Sequence, residues 1–235
     1  MSGALGFARI DASAAMGRQS EAVTHYAVGN LSPAKYALMA CAIELNPSLA
    51  RSAAFETDIA ASLMTEIRPV PLSPFLIGET LAKLPYYDTP KRPANDDAHH
   101  KPESRLAPKP LRDLMQDGGL QDIKWKSLVP GLAVHDVLGD RKRSTGDRMY
   151  LLWAKGGMRL PHHSHHGEEW TLILKGSYTA DDNRYTRGDF HIADETTDHA
   201  PHIDEGEDCI CLVVTQGHLH MKSWLPRLVQ KVVGI

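Results

Sequence analysis

The chain has 235 residues, of which 42% are hydrophobic and 23% are charged, and its formal charge is -3 at pH 7. This length suits one large domain or two modest ones, and the apolar content is sufficient for a proper core. Direct binding of nucleic acid is not expected, because such binding usually requires a basic surplus or a basic stripe. The only dense basic cluster, at Arg141–Arg143, is interpreted as a solvated loop.

The first third of the sequence contains repeated signals for the start of a helix. Ser32-Pro33, Asn46-Pro47 and Ser73-Pro74 each place an N-cap residue before a proline that suits the first helical position. Apolar residues then recur every three or four positions. Together with a further segment at 21–30, the pattern predicts four short helices that pack as a bundle.

A proline-rich stretch follows at 85–110, with six prolines, many charges and hardly any aliphatic residues. Proline cannot donate to a helix or a sheet ladder, so this stretch is predicted to be a linker. The chain is therefore expected to consist of a helical domain at 1–84, the linker at 85–110 and a second domain at 111–235.

Beyond the linker, short segments rich in β-branched and aromatic residues alternate with Gly, Asp and Asn turns. Their spacing predicts a β-sandwich or a barrel. The tail at 225–235 fits a last strand or a helix equally well. Six segments are predicted to be strands: 123–129, 132–138, 149–154, 169–176, 189–193 and 209–214.

The cysteines and the hydropathy of the sequence indicate the cellular compartment in which the protein is expected. Cys41, Cys209 and Cys211 form no even disulfide framework and no Cys-x-x-Cys pair. The amino terminus lacks a long apolar signal segment, and no apolar run approaches the roughly 18 residues that a membrane span requires. We therefore expect a cytoplasmic protein that does not insert into a membrane, in which Cys209 and Cys211 pack in a core.

Four histidines and two glutamates lie within the eight residues from His162 to Glu169. Residues two apart on a strand project to the same side, so His163 and His165 share a face, and Glu169 joins them if the segment is one strand. Two imidazoles and a carboxylate are a typical partial ligand set for zinc, iron, manganese or nickel. His199 is expected to complete the set from a neighbouring strand.

The other histidines are weaker candidates. His162 and His166 have the opposite parity or lie in a loop, so they are expected beside the metal or in solvent, and His191 and His202 rank lower still. The alternative interpretation is an exposed polar loop without metal. The joint spacing of the four candidate ligands argues against this alternative.

The histidine segment resembles the first cupin motif, G-x5-H-x-H-x3-E-x6-G. The stretch from Gly188 to His199 is similar to the second cupin motif, although Asp194 and Thr196 replace its usual proline and glycine. The resemblance implies a double-sheeted jelly-roll β-barrel in which three histidines and one glutamate hold one metal ion. The positions of the first motif are occupied by Gly157, His163, His165, Glu169 and Gly176.

More narrowly, most of residues 105–220 resemble the cupin of ChrR-type anti-sigma factors. In this family an amino-terminal domain of four helices is joined to the cupin by a linker, and the stretch from Tyr26 onward resembles that helical domain. The resemblance therefore implies an α+β multidomain protein. The matching segments of the cupin are His163–Tyr178, Arg184–Phe190, His199–Pro201 and Glu207–Val214.

The helical half departs from the family at its zinc site. Where the family has a zinc-binding His-x3-Cys-x2-Cys, this chain carries Ala42, Asn46 and Leu49, and the further upstream ligand aligns near Gly17. These side chains cannot hold zinc, so the helical domain is expected to fold without metal through apolar contacts of Leu49 and a helix at 47–67. One divalent ion per chain is therefore expected, zinc first, with iron, manganese or nickel as alternatives.

The family resemblance implies a transcriptional regulator of the anti-sigma type. Its helical domain would bind an extracytoplasmic-function sigma factor through the helices at 34–45 and 72–84, and its cupin would sense a signal. The alternative is a cupin metalloenzyme, a dioxygenase or isomerase, with Glu168 or His191 as general base. A third alternative is a metal-binding module without catalysis.

The outer side of the predicted barrel is also apolar. Trp170, Leu172 and Leu174 alternate with the metal-facing positions and are therefore expected on the outside. There they would support a homodimer, or pack under the chain's own linker or tail.

Overall fold

The computed structural model describes residues 17–83, 107–115, 120, 123–138, 146–216 and 219–221. The tail at 225–235 and residues 85–106 of the predicted linker lie outside this range. None of the helices in the described part combines the length and the apolar character that crossing a bilayer requires. Five helices are described: α1 (17–27), α2 (Pro33–Leu45), α3 (Pro47–Met64), α4 (Leu76–Lys83) and α5 (Lys109–Leu114).

The predicted starts of α2 and α3 are confirmed by their caps. Ser32 Oγ accepts a hydrogen bond from the backbone N–H of Lys35 at 3.3 Å. Asn46 Oδ1 accepts from the N–H groups of Ser48 and Leu49 at 3.0 and 3.2 Å. Each cap stands before a proline in the first turn and satisfies donors that have no partner within the helix.

Twelve strands are described: β1 (Lys126–Val129), β2 (Leu132–Asp136), β3 (Asp147–Ala154), β4 (His163–His165), β5 (Glu169–Lys175), β6 (Ser177–Ala180), β7 (Asn183–Thr186), β8 (Phe190–Ala193), β9 (Asp198–His199), β10 (His202–Ile203), β11 (Cys209–Gln216) and β12 (Leu219–Met221). They form one six-stranded sheet, in the order β1-β2-β3-β11-β5-β8, and two three-stranded sheets, β10-β6-β7 and β12-β4-β9. All six segments predicted from the sequence belong to the large sheet.

The central strands of the large sheet are buried on both faces, which explains their continuous apolar runs. On β5, Ile173 faces a hydrophobic cluster that also contains Tyr178 and Tyr185 of the β6–β7 hairpin. Its neighbours Leu172 and Leu174 point the other way, into a cluster that includes the helices. The sheet therefore separates an inner core from an outer one.

Helix α2 covers the outer face of the large sheet. Leu38 and Met39 of α2 are fully buried in the same cluster as Leu151 and Leu172 of the sheet. Trp170, Leu172 and Leu174, which the sequence offered to a homodimer, are thus buried against the chain's own helices. Ala107, which lies within the predicted linker, is fully buried in the same cluster, so the end of the linker contributes to this cover as well.

Two finer predictions are not confirmed by the described architecture. Every residue of α4 is exposed, so α4 does not pack into the core of a four-helix bundle. The strands form three separate sheets in the described part of the chain, so a single closed barrel is not observed. A two-layered β domain covered by helices is the architecture that the structure supports.

The three positions at which the sequence resemblance implied family zinc ligands make structural contacts here. Ala42 is fully buried in the outer core, and Leu49 packs against it. Asn46 caps α3 and also donates through Nδ2 to the carbonyl oxygen of Gly188, at 3.4 Å. Helix capping, apolar packing and a contact with the turn between β7 and β8 are therefore made at the positions where the sequence resemblance implied zinc ligands.

Polar contacts also join the helices to the β domain. Lys35 is nearly buried and contributes an ion pair inside this interface. The contacts between described residues include Lys35 Nζ to Glu168 Oε2 at 2.5 Å, Gln19 Nε2 to the Phe190 carbonyl at 2.6 Å, Asn46 Nδ2 to the Gly188 carbonyl at 3.4 Å, and Arg18 Nη1 to Asp194 Oδ2 at 3.5 Å.

Candidate metal centre

Two buried histidines face each other across the pair of strands β4 and β9. His163 and His199 are direct partners in the antiparallel register, which brings side chains of opposite residues together. Their ring centroids are 4.7 Å apart, and their Nε2 atoms are 3.2 Å apart. Both residues are almost inaccessible to solvent.

Hydrogen bonding fixes the tautomer of His163. Its Nδ1 lies 2.8 Å from the carbonyl oxygen of Pro161, which can only accept, so Nδ1 carries the hydrogen and Nε2 carries the lone pair. Burial lowers the pKa of His163 to about 4, which keeps the imidazole neutral near pH 7. His163 is therefore prepared to act as a metal ligand through Nε2.

Glu169 supplies a carboxylate to the same space, but not from the same strand as His163. Gly167, with φ of +88°, turns the chain between β4 and β5, so the expected single strand is two strands in different sheets. Burial raises the pKa of Glu169 to about 7, against the opposing effects of His199 and of a hydrogen bond with Thr171. A bound cation would favour the ionised carboxylate.

The predicted ligand His165 has its backbone in β4, where it is paired with Leu219 of β12. Its side chain lies outside the described part of the structure. Residues two apart on a strand share a face, so its predicted position beside His163 stands as a prediction.

The described ligands fit a metal ion. One ligand atom from each of His163, Glu169 and His199 lies within 4.8 Å of the others. Two imidazole nitrogens on one tetrahedral zinc, at the usual Zn–N length, would be about 3.3 Å apart. The observed separation of 3.2 Å between the two Nε2 atoms matches this value.

A second group shares His199 on its other side. A carboxylate oxygen of Asp181, a nitrogen of His191 and a nitrogen of His199 also lie within 4.8 Å of one another. Asp181 Oδ2 is 3.5 Å from His199 Nδ1, and this contact lowers the pKa of Asp181. Sequence reasoning ranked His191 low and missed Asp181, since a turn carboxylate has no ligand spacing to identify it.

His191 itself is held by two tyrosines of the β6–β7 hairpin. Its Nδ1 is 3.1 Å from the Tyr178 hydroxyl, and its ring stacks on Tyr185 with centroids 4.7 Å apart. Burial lowers the pKa of His191 to about 4. The residue is therefore neutral near pH 7.

The remaining histidine candidates are more exposed than His163 and His199. His162 is exposed and its Nδ1 is 2.9 Å from Asp198 Oδ1, which fastens β4 to β9. His166 is exposed, and His202 is half-buried in β10.

Glu168 is engaged at the helix interface. Its Oε2 accepts hydrogen bonds from Lys35 Nζ at 2.5 Å and from Trp170 Nε1 at 3.0 Å, and these bonds lower its pKa despite partial burial. Glu168 and Glu169 point to opposite sides of β5, so one faces the helices and the other the centre. A strongly paired carboxylate with a lowered pKa is poorly suited to be a general base at pH 7.

Cys209 and Cys211 share the inner face of β11, as predicted. Their Sγ atoms are 3.5 Å apart and both residues are buried in the inner core. The hydrogen bond between them and burial raise the pKa of Cys211, which disfavours the reactive thiolate form. Because both thiols are also buried, neither has the exposure that a reactive cysteine needs.

The fold and the centre define a cupin-like domain. The sequence profile described as the ChrR cupin-like domain matches residues 118–220. The anti-sigma-E factor ChrR of Cereibacter sphaeroides is 35% identical over 211 residues, which cover 88% of this chain and 92% of that protein. The crystal structure of Rhodobacter sphaeroides SigE in complex with the anti-sigma ChrR matches with a TM-score of 0.67 and 30% identity, over 84% of this chain and 96% of that chain.

The match to the curated relative extends over nearly the whole length of both proteins, helices included. The chain therefore belongs to the ChrR family.

Proposed function

We propose that this protein is an anti-sigma factor that binds an extracytoplasmic-function sigma factor through its helical part and carries a metal-dependent sensor in its cupin-like domain. Membership of the ChrR family over 88% of the chain is the observation that carries the proposal. Sigma factors act on RNA polymerase, so this role implies the cytoplasm as its location. Direct contact with nucleic acid is not needed.

An exposed apolar surface on α3 and α4 supports the binding of a protein partner. Large exposed apolar patches rarely occur on a monomer without a binding role. Helix α2 is less suited to this role, because it uses its apolar face against the sheet. The exposed apolar side chains of this surface are Phe55, Ile59, Leu63, Met64, Ile67, Val70, Leu72, Phe75, Leu76, Ile77 and Leu81.

We infer that the sigma factor covers this α3–α4 surface. Phe55, Ile59 and Leu63 are spaced by four residues and form one stripe on α3, the pattern of a helix that lies in an apolar groove. The four-helix arrangement expected from the sequence would then be completed only when the partner is present.

The test is co-purification of the full chain with extracytoplasmic-function sigma factors from its own genome. Phe55→Glu and Leu63→Glu should each weaken the complex at least tenfold, because each buries a charge in an apolar contact. Ala61→Glu is the matched control, since Ala61 is exposed on a different side of α3. Failure to recover any sigma factor, or equal effects of all three substitutions, would refute this assignment.

The same proposal assigns His163, His165, Glu169 and His199 as ligands of one divalent ion, with zinc first. The separation of the two Nε2 atoms and the fixed tautomer of His163 support this assignment. The ion would supply positive charge that keeps the carboxylate ionised and ties β4, β5 and β9 together. Iron, manganese or nickel would be accepted by the same ligands.

Elemental analysis of protein prepared without a chelating tag tests the metal centre. We expect about one ion per chain, lost on His163→Ala or His199→Ala, because each removes a buried ligand. His162→Ala is the control, since this exposed neighbour pairs with Asp198 instead. Metal content that is unaffected by the first two substitutions would contradict the proposed ligands.

The metalloenzyme remains the second candidate. Of its two proposed general bases, Glu168 is paired with Lys35, and His191 is held by Tyr178. Neither contact favours proton transfer to a substrate, and the curated relative is a regulator. We therefore rank the metalloenzyme below the anti-sigma factor as the proposed function.

A further inference from the structure

We propose that Asp181 is a positioning residue that holds the ring of His199 with Nε2 directed at the metal. The inference rests on the metal centre proposed above and extends it by a residue outside the cupin motifs. The geometry that supports it is the approach of Asp181 Oδ2 to His199 Nδ1 on the side of the ring opposite to His163. The distance is 3.5 Å, an ion-pair contact that is longer than an ordinary hydrogen bond.

The first step is to decide which ring nitrogen of His199 carries the hydrogen. A neutral imidazole has one N–H and one lone pair. In the metal-bound state proposed above, the Nε2 lone pairs of His163 and His199, whose nitrogens lie 3.2 Å apart, are both directed at the ion, so Nδ1 of His199 must carry its hydrogen. An acceptor is then required at Nδ1, and a carboxylate that receives the second N–H is the common partner of a metal-bound histidine.

Asp181 reaches His199 from a tight turn. Asp181 and Asp182 are the two central residues of the β6–β7 hairpin, closed by the pairing of Ala180 with Asn183. Both have positive φ, 50° and 61°, which is the conformation of a two-residue hairpin turn. Glycine or asparagine would satisfy this backbone equally well, so the turn itself does not require a carboxylate at position 181.

The neighbouring acidic residue provides a contrast. Asp182 has the same backbone conformation and is exposed, but the contact with His199 is made by Asp181. The side chain of Asp181 is 39% exposed, whereas that of His199 is 2% exposed. The Asp181 carboxylate therefore connects a buried ligand to the surface of the domain.

A second cation between Asp181, His191 and His199 is the competing interpretation of the same residues. It would require His199 to bind metals through both nitrogens, and therefore to lose its remaining hydrogen. A hydrogen bond to a carboxylate needs no such loss. Positioning is therefore the interpretation that the described contacts favour.

The experiment compares Asp181→Gly with Asp182→Gly in the full chain. Glycine suits both positive φ values, so the hairpin should be kept in each variant. Zinc affinity is measured by competition with a chelator of known affinity. We expect Asp181→Gly to weaken binding by about 10- to 100-fold, the usual effect of losing such a partner, and Asp182→Gly to resemble the unmodified chain.

Two further readouts distinguish positioning from a general structural effect. The metal-free forms of both variants should unfold at similar temperatures. In the zinc-loaded protein, nitrogen-15 spectra of the imidazoles should show a protected Nδ1–H on His199 that exchanges faster in Asp181→Gly. Asp181→Asn keeps an acceptor oxygen without the charge and should give an intermediate affinity.

The outcomes separate this inference from the metal centre itself. Equal zinc affinity in Asp181→Gly and the unmodified chain would refute positioning and leave the centre intact. Uptake of two ions per chain, with the second lost in Asp181→Gly, would replace positioning by a second cation site. A chain that binds no zinc would overturn both the centre and the inference.

Discussion

At the scale of single residues, Asp204 holds together the small sheet that faces the inner core. Its carboxylate accepts hydrogen bonds from Ser177 Oγ at 2.5 Å, Arg184 Nε at 2.6 Å and Thr179 Oγ1 at 3.2 Å. The bonds from Ser177 and Arg184 lower the pKa of Asp204 below its ordinary value of 3.8. One side chain thus joins β6 and β7 to the end of β10.

Asp204→Asn should therefore destabilise the protein in a pH-dependent way. The folded state favours the ionised carboxylate, so the stabilisation is complete above the ordinary pKa of 3.8 and is lost as the pH falls through the lower folded pKa. We expect a loss of about 1–2 kcal/mol at pH 7, because Arg184 is largely solvated. The measurement is urea unfolding at several pH values.

The control for this prediction is Glu205→Gln, at an exposed neighbour in the same turn. Its free energy of unfolding should follow that of the unmodified chain throughout. A difference between Asp204→Asn and the unmodified chain that persists at pH 2 would show that the effect is not electrostatic.

Residue-level prediction from the sequence proposed His163, Glu169 and His199, and the structure brings these three residues close together. Glu169 arrives from a different strand than parity along one strand assumed. The prediction missed Asp181, because a carboxylate in a turn reaches the centre only through the folded hairpin. The direction of such a side chain is set by tertiary structure, which spacing along the chain does not encode.

At the scale of elements, the turn between β5 and β6 depends on Gly176. Its φ is +71°, and a Cβ there would lie 2.5 Å from the carbonyl oxygen of Asp208. Backbone atoms of the neighbouring strand cannot yield as a flexible side chain can. Strand β5 thus continues into β6 through a single residue that has no room for a side chain.

Gly176→Ala and Gly206→Ala provide a matched pair. Gly206 also has a positive φ, +95°, but nothing in the described structure lies within 4 Å of an added Cβ. Gly206→Ala should cost about 1 kcal/mol from backbone strain alone. Gly176→Ala should cost about 1–3 kcal/mol more because of the clash, and thermal unfolding measures both. Equal costs would contradict the close approach.

Elements with strong local signals were predicted well from the sequence. Ser32 and Asn46 marked the starts of α2 and α3, and six apolar runs marked the large sheet. A strand at His199 was expected and is β9, but β10 was missed, since two residues are too short to show alternation. Helix α5 was missed as well, because its start lies within the proline-rich stretch.

At the scale of the whole molecule, an ion pair links the helices to the strand that carries Glu169. Lys35 of α2 contacts Glu168, and its ammonium lies 5.1 Å from the ring centre of Trp170. Only 9% of the Lys35 side chain is exposed. A cation held in this way couples the position of α2 to the beginning of β5.

Lys35→Met should destabilise the chain by about 1–2 kcal/mol, because it leaves a partly buried carboxylate without its cation. Methionine retains apolar contact with Trp170, so packing is largely kept. Lys109→Met removes an exposed pair with Asp113 and should change stability by less than about 0.5 kcal/mol. Denaturant unfolding measures both, and similar losses would argue against a special role for the interface.

The packing of helices on the sheet was the part of the fold that the sequence could not provide. The sequence identified the apolar outer face at Trp170, Leu172 and Leu174, but several partners were compatible with it. Leu38 and Leu172 are far apart in the chain, and hydrophobic contact is not directional. Which surface covers which is therefore decided by the global fold.

The packing of α2 on the outer face of the large sheet limits which helical and β parts can be joined in a hybrid protein. Grafting the helical half of another protein onto this β domain at the proline-rich stretch would set foreign side chains against Leu151 and Leu212, both fully buried here. Misfit there creates cavities or clashes in a close-packed interior. A hybrid that folds should therefore take α2 and the strands that α2 covers from the same parent protein.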